Sequence, residues 1–188
     1  VAPELERGFS TNGKEAKVSV VDLKTLRTIS KVEAGQNPDA LVYEPRRGEV
    51  FVFNHTGNSA TVIDAKAARV VSTIPLGGSP EFAVVDGTAG RVYCNLEDKM
   101  EVVVIDTAKH EVAARWPVAP GEEPTGIAFD AAHHRLFVGC HNKVMVMVDT
   151  ETGQVVATVP IGAAVDGCAF DDMIQLAFAS CGDGTTTI

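Results

Sequence analysis

The sequence predicts an all-β fold of the β-propeller class, and two features carry that expectation. Three independent markers recur every ~42 residues along all 188 residues, and each repeat holds four short β-rich runs. The first marker is an apolar run ending in aspartate: Val20-Val21-Asp22, Val62-Ile63-Asp64, Val104-Ile105-Asp106 and Met147-Val148-Asp149. These aspartates stand 42, 42 and 43 residues apart. The second is an aromatic within an apolar strand, at Phe9, Phe51, Tyr93, Phe137 and Phe178. The third is a Gly-x-x-Pro turn, from Gly35 to Pro38, Gly77 to Pro80 and Gly121 to Pro124; the fourth copy, from Gly162, has no proline and carries Asp166 in that region.

Within the second repeat the elements follow from residue chemistry. Asp39 to Tyr43 is β-branched and aromatic enough for a strand, and Glu44-Pro45-Arg46-Arg47-Gly48 is a turn. Glu49 to Phe53 is the second strand, followed by the turn Asn54-His55-Thr56-Gly57-Asn58. Ala60 to Ile63 and Arg69 to Ile74 are the third and fourth, joined by a turn over Asp64 to Ala68. No window shows helical periodicity over three turns. The phase divides the chain into blades at about 1–34, 35–76, 77–120, 121–161 and 162–188, the first and last incomplete. About four and a half four-stranded blades are present. The chain is thus expected to begin near the end of an innermost strand, to stop in a third strand, and to be an arc of a longer ring.

Composition limits the function classes. Twenty-five acids against 16 bases give a formal charge of −9, with no Lys/Arg cluster of the kind a phosphate backbone requires, so nucleic-acid binding is disfavoured for this segment. No run of ~18 uncharged apolar residues suits a membrane helix. Cys94, Cys140, Cys168 and Cys181 have neither CxxC nor dense spacing, and read as buried free thiols.

Function on a repeat scaffold concentrates in loops on one face. The Gly-x-x-Pro loops and the turns after the second strands supply Asn37, Asp39, Asn54, His55, Glu81 and Phe82. They also supply Asn95, Glu97, Asp98, Glu122, Glu123 and Cys140, then His141, Asn142, Asp166, Cys181 and Asp183. From these the candidate ligand-binding residues are Asn54, His55, Glu81, Asn95, Glu97, Glu123, His141, Asn142 and Asp166. Their acidity makes a negative funnel, which attracts cations and basic ligands and repels phosphate. A divalent cation is compatible with this set. His133 and His134 cannot join His141 on one metal, because the intervening strand separates them by roughly 20 Å. The repeated aspartates are expected to brace turns, and Trp116 to pack between blades. No phosphate-binding Gly-rich loop precedes a helix, and no Gly-x-Ser-x-Gly elbow is present.

The runs Arg91-Val92-Tyr93-Cys94-Asn95, Val50-Phe51-Val52-Phe53-Asn54, Ala60-Thr61-Val62-Ile63-Asp64 and Val70-Val71-Ser72-Thr73-Ile74-Pro75-Leu76-Gly77 resemble the YVTN-type repeats of YncE-like β-propellers, as does Glu123-Pro124-Thr125-Gly126-Ile127-Ala128-Phe129-Asp130. The resemblance covers the whole chain. It implies a seven-bladed ring from an exported, periplasmic or secreted bacterial or archaeal protein, binding a small ligand, metal-bearing cofactor or protein partner rather than catalysing a reaction. Two alternatives follow from related propellers: a metal-dependent lactonase-like hydrolase, and single-stranded DNA binding.

Overall fold

The computed structural model describes residues 1–188 and is built from five antiparallel sheets that follow one another along the chain. The first holds β1 (Arg7–Asn12), β2 (Lys17–Asp22) and β3 (Thr28–Glu33). The second holds β4 (Pro38–Glu44), β5 (Glu49–Asn54), β6 (Ser59–Asp64) and β7 (Arg69–Pro75). The third holds β8 (Pro80–Asp86), β9 (Arg91–Leu96), β10 (Glu101–Asp106) and β11 (Glu111–Pro117). The fourth holds β12 (Pro124–Asp130), β13 (Arg135–Cys140), β14 (Val144–Asp149) and β15 (Val155–Pro160). The last holds β16 (Val165–Asp171), β17 (Leu176–Cys181) and β18 (Thr186–Thr187). Each expected strand of the second repeat is present, lengthened by a residue at one or both ends. In the first sheet an isolated bridge from Ala2 to Arg7 stands where the innermost strand of the other blades ends.

Sheets pack face to face because each strand buries alternate residues on two sides. Four apolar cores result, one at each seam. Val18, Val20 and Val32 of the first sheet meet Val50, Val52 and Ile63 of the second. Phe51, Phe53 and Val62 meet Val92, Cys94 and Val103. Tyr93, Val102 and Val104 meet Leu136, Val138 and Val146, and Met145 and Ile161 meet Val165 and Ala179. The five marker aromatics occupy the third position of each second strand. Trp116 stacks on Tyr93 at 5.5 Å and covers Gly153 of the next sheet, so it packs between blades as expected.

The aspartates at the ends of β2, β6, β10 and β14 brace the turns that follow. Oδ1 of Asp22 accepts the N–H groups of Lys24 and Thr25, Asp64 those of Lys66 and Ala67, Asp106 those of Ala108 and Lys109, and Asp149 those of Glu151 and Thr152. Glu44, Asp86, Asp130 and Asp171 do the same one hairpin earlier. A residue that recurs in every blade with the same bonds is scaffold.

The first strands β4, β8, β12 and β16 lie side by side and line the concave wall, a largely apolar cavity of about 680 Å³ that includes Val42, Val84, Ile127 and Phe129. Each of these strands breaks register near its start, between Pro38 and Leu41, Pro80 and Ala83, Pro124 and Ile127, and Val165 and Gly167. Such irregularities re-aim side chains away from the ladder. Asp39, Glu81, Thr125 and Asp166 all sit in them, at one mouth of that wall.

Candidate functional site

The loop that follows each second strand is held against the start of its own blade by one repeated bond. The N–H of His55 donates to Asn37 O, Glu97 to Ser79 O, His141 to Glu123 O (shared with Glu122 O), and Gly182 to Ala164 O. His55, Glu97 and His141 are therefore the same position in three successive blades, and the outer two blades carry Gly13 and Gly182 there. The equivalence is present in the sequence: each of the three lies four residues after its marker aromatic, and they stand 42 and 44 residues apart.

Side chains from these positions and from the register breaks converge. His55 Nδ1 lies 2.8 Å from Glu81 Oε1 across the seam between the second and third sheets. The approach lacks hydrogen-bond alignment, so that nitrogen, shielded from solvent, has no hydrogen-bond partner. Donor atoms of His55, Glu81 and Glu97 all lie within 4.8 Å of one another, as do those of Glu97, Glu123 and His141. Glu97 belongs to both groups, so a row of two imidazoles and three carboxylates crosses three blades. His141 Nδ1 faces Glu123 Oε2 at 3.3 Å, and its Nε2 meets Thr125 Oγ1 at 3.1 Å. Burial raises the Glu81 carboxyl above its ordinary value; the His55 imidazole opposes this, and the charges of Glu97 and Asp39 add to it.

Five of the nine residues expected from sequence thus meet here: His55, Glu81, Glu97, Glu123 and His141. The other four do not join them. Asn54 is fully buried, with its Nδ2 donating to Ser59 and Thr61 hydroxyls and its Oδ1 accepting the Gly35 N–H. Asn142 braces a loop, accepting from Glu122 N–H and donating to Pro120 O. Asp166 is exposed at the same mouth one blade further on. Asn95 is fully buried, and its Nδ2 donates to Thr125 O at 2.8 Å and Gly126 O at 3.1 Å in the next blade.

The two asparagines differ for a geometric reason. Asn54 ends its strand opposite Ser59, and the residue opposite the corresponding Glu101 is Leu96, not Asn95. Asn95 is one residue earlier and so points to the other face of its sheet. Asn12, Asn54, Leu96, Cys140 and Cys181 share the strand-end position, where most of them pack beneath a glycine of the inter-blade loop. A Cβ at Gly35 would touch Asn54 Nδ2, one at Gly78 Leu96 Cδ1, and one at Gly121 Cys140 Sγ. The cysteines are accordingly packing residues: all four are free, and burial pushes the Cys140 thiol up to about 12 and the Cys168 thiol to about 11.

Two further acids of the loop face are also scaffold. Asp98 Oδ1 accepts the Ser79 N–H, and Asp183 Oδ2 accepts the Ala163 N–H. Thr125, which bonds His141, lies within the repeat run Glu123 to Asp130 but is not among the site residues expected from sequence.

No family model and no curated protein matches the chain. Among solved structures it is similar to Kuenenia stuttgartiensis hydrazine synthase over 100% of this chain and 93% of that one, with a TM-score of 0.57 and 14% identity. It is also similar to the dihydro-heme d1 dehydrogenase NirN in complex with DHE, over 85% of this chain and 36% of that one, with a TM-score of 0.71 and 15% identity. At these identities the likeness concerns the fold, and together with the five antiparallel sheets it makes the chain an all-β propeller scaffold. No helix is long and apolar enough to cross a membrane.

Proposed function

We propose that this chain is a binding propeller of YncE-like type, acting in the periplasm or outside the cell, that captures a cationic ligand at its acidic loop face. The observation that supports the reading is the row His55–Glu81–Glu97–Glu123–His141. Glu81 and Glu123 each lie within reach of Glu97, and the lysines of the flanking loops do not neutralise them: Lys99 pairs with Asp98 at 3.0 Å, and Lys143 makes no ion pair with the row. Like charges held together in a partly buried site raise the affinity for a cation and repel phosphate. The row also breaks the repeat symmetry: the position of His55, Glu97 and His141 is glycine in the outer blades, and the position of Glu123 is Asn37, Ser79 or Ala164 in the others, so the fold does not require these side chains. Scaffold residues recur in every blade; a site does not.

Isothermal titration calorimetry of the full chain against Zn²⁺, Mn²⁺, Ca²⁺, spermidine and inorganic phosphate tests the proposal. Binding of at least one cation and none of phosphate is expected. Heat-silent titrations with every cation overturn it, as does single-stranded DNA binding that persists at moderate salt. Absence of lactone turnover by the cation-loaded protein is the outcome that separates a binder from a hydrolase.

A further inference from the structure

We propose that the row is a two-ion centre for divalent first-row transition metals, with Glu97 as the carboxylate shared between them. The inference rests on the cation-binding reading above and specifies the ligand class and stoichiometry. Each half of the row offers one imidazole and one carboxylate of its own, His55 with Glu81 and His141 with Glu123, and each reaches Glu97. Mixed imidazole and carboxylate donors suit zinc, manganese, iron or cobalt better than calcium, which takes oxygen ligands. Ligand atoms around a tetrahedral ion with bonds of about 2.1 Å stand about 3.4 Å apart; His141 and Glu123 at 3.3 Å are close to that separation, and His55 and Glu81 at 2.8 Å reach it when they open by about 0.6 Å. Bridged ions in two-metal sites lie about 3.5–4 Å apart, a span one carboxylate covers with its two oxygens.

The hydrogen bonds around His141 point independently to a cation. The Thr125 hydroxyl donates its single proton to Glu123 O at 3.3 Å. With its oxygen accepting from His141 Nε2–H, a neutral imidazole presents the Nδ1 lone pair to the Glu123 carboxylate, and a protonated one donates Nδ1–H to it. The place between them takes a positive centre, a proton in the metal-free protein and the ion in the loaded one. Holding the far ring nitrogen in a hydrogen bond while the near one faces the ion is how ligand histidines are oriented. At the other end of the row, His55 Nδ1 is shielded from water and has no hydrogen-bond partner, although it stands beside a Glu81 carboxylate oxygen. With three protein donors per ion, each metal keeps an open position for water or an incoming ligand.

Metal content and electron paramagnetic resonance of the Mn²⁺-loaded full chain, with Zn²⁺ competition, test the proposal. The wild type is expected to hold two ions per chain and to show spin coupling at two equivalents. The double variant His55→Ala/Glu81→Gln and the double variant His141→Ala/Glu123→Gln are each expected to hold one uncoupled ion. Glu97→Ala is expected to weaken both sites by about tenfold or more and to abolish coupling. Thermal melts of the metal-free variants identify any that fail to fold, and Glu97→Asp, which keeps a carboxylate, is expected to recover part of the affinity. One ion per wild-type chain, or a Glu97 variant that loses only one, overturns the shared-carboxylate centre. Binding of spermidine with no transition metal overturns the centre and leaves the cation reading standing; binding of no cation removes both.

Discussion

His55 Nδ1 and Glu81 Oε1 stand 2.8 Å apart across the seam between the second and third blades, without the alignment of a hydrogen bond. Burial raises the Glu81 carboxyl most, His55 opposes that rise, and the charges of Glu97 and Asp39 add to it, so the carboxyl stays above its ordinary value despite its histidine. A buried, under-compensated charge costs stability and is retained for function. Glu81→Gln is therefore expected to raise the melting temperature of the metal-free protein at pH 7 while weakening cation binding. Thermal melts with and without Zn²⁺ check both halves; a variant that melts lower than wild type without metal shows the ion pair to be stabilising.

Asn95 makes a different prediction, because both its bonds cross to the neighbouring blade. Its Nδ2 satisfies Thr125 O and Gly126 O in an environment closed to solvent. Asn95→Ala leaves two buried carbonyls unpaired and is expected to cost about 1–3 kcal/mol. Asn95→Asp places a charged acceptor against the same carbonyls and is expected to cost more at pH 7. Urea denaturation measures the two; equal costs contradict the assignment of the bonds to Nδ2.

The scaffold was legible in the sequence because repetition amplifies it. Phe9, Phe51, Tyr93 and Phe137 keep their spacing since each packs at the equivalent place in its own seam, and Asp22, Asp64, Asp106 and Asp149 keep theirs since each closes the equivalent turn. The site was legible only in part. His55, Glu97 and His141 share one position by register, yet no chemistry common to His and Glu announces it. Asn95 mimics Asn54 in sequence, and one residue of strand alternation sends it to the opposite face. Which loop acids are free was hidden altogether: Asp98 and Asp183 look like Glu97 and Glu123 until their backbone partners are seen.

The turn-bracing aspartates set the acid limit of the fold. The Thr152 N–H first, then the Thr152 hydroxyl, the Glu151 N–H and nearby Arg135, hold the Asp149 carboxyl below its ordinary value against the opposing effect of desolvation, and hydrogen bonds from their turns do the same for Asp22 and Asp106. A carboxyl with a lowered folded-state pKa adds stability that is fully present above its unfolded value, about 3.9, and is lost as pH falls through the folded value. Asp149→Ala is expected to melt lower than wild type at pH 7, with the gap narrowing below pH 3.9 and closing at still lower pH. A gap that stays constant down to the acid transition shows that the carboxylate charge contributes nothing.

Gly121 and Cys140 test the shared strand-end position. A Cβ at Gly121 would stand 2.5 Å from Cys140 Sγ, 2.8 Å from Val146 Cγ2 and 3.1 Å from Val118 O, so the loop closes over the thiol only without a side chain. Gly121→Ala forces these groups apart inside a packed seam and is expected to cost about 1–3 kcal/mol. Cys140→Ala removes the nearest obstacle and leaves a cavity that the new methyl fills in part. The double variant is therefore expected to be more stable than the sum of the single losses, by about 0.5 kcal/mol or more. Strict additivity in urea melts shows that Val146 and the Val118 carbonyl, not the cysteine, impose glycine at this position.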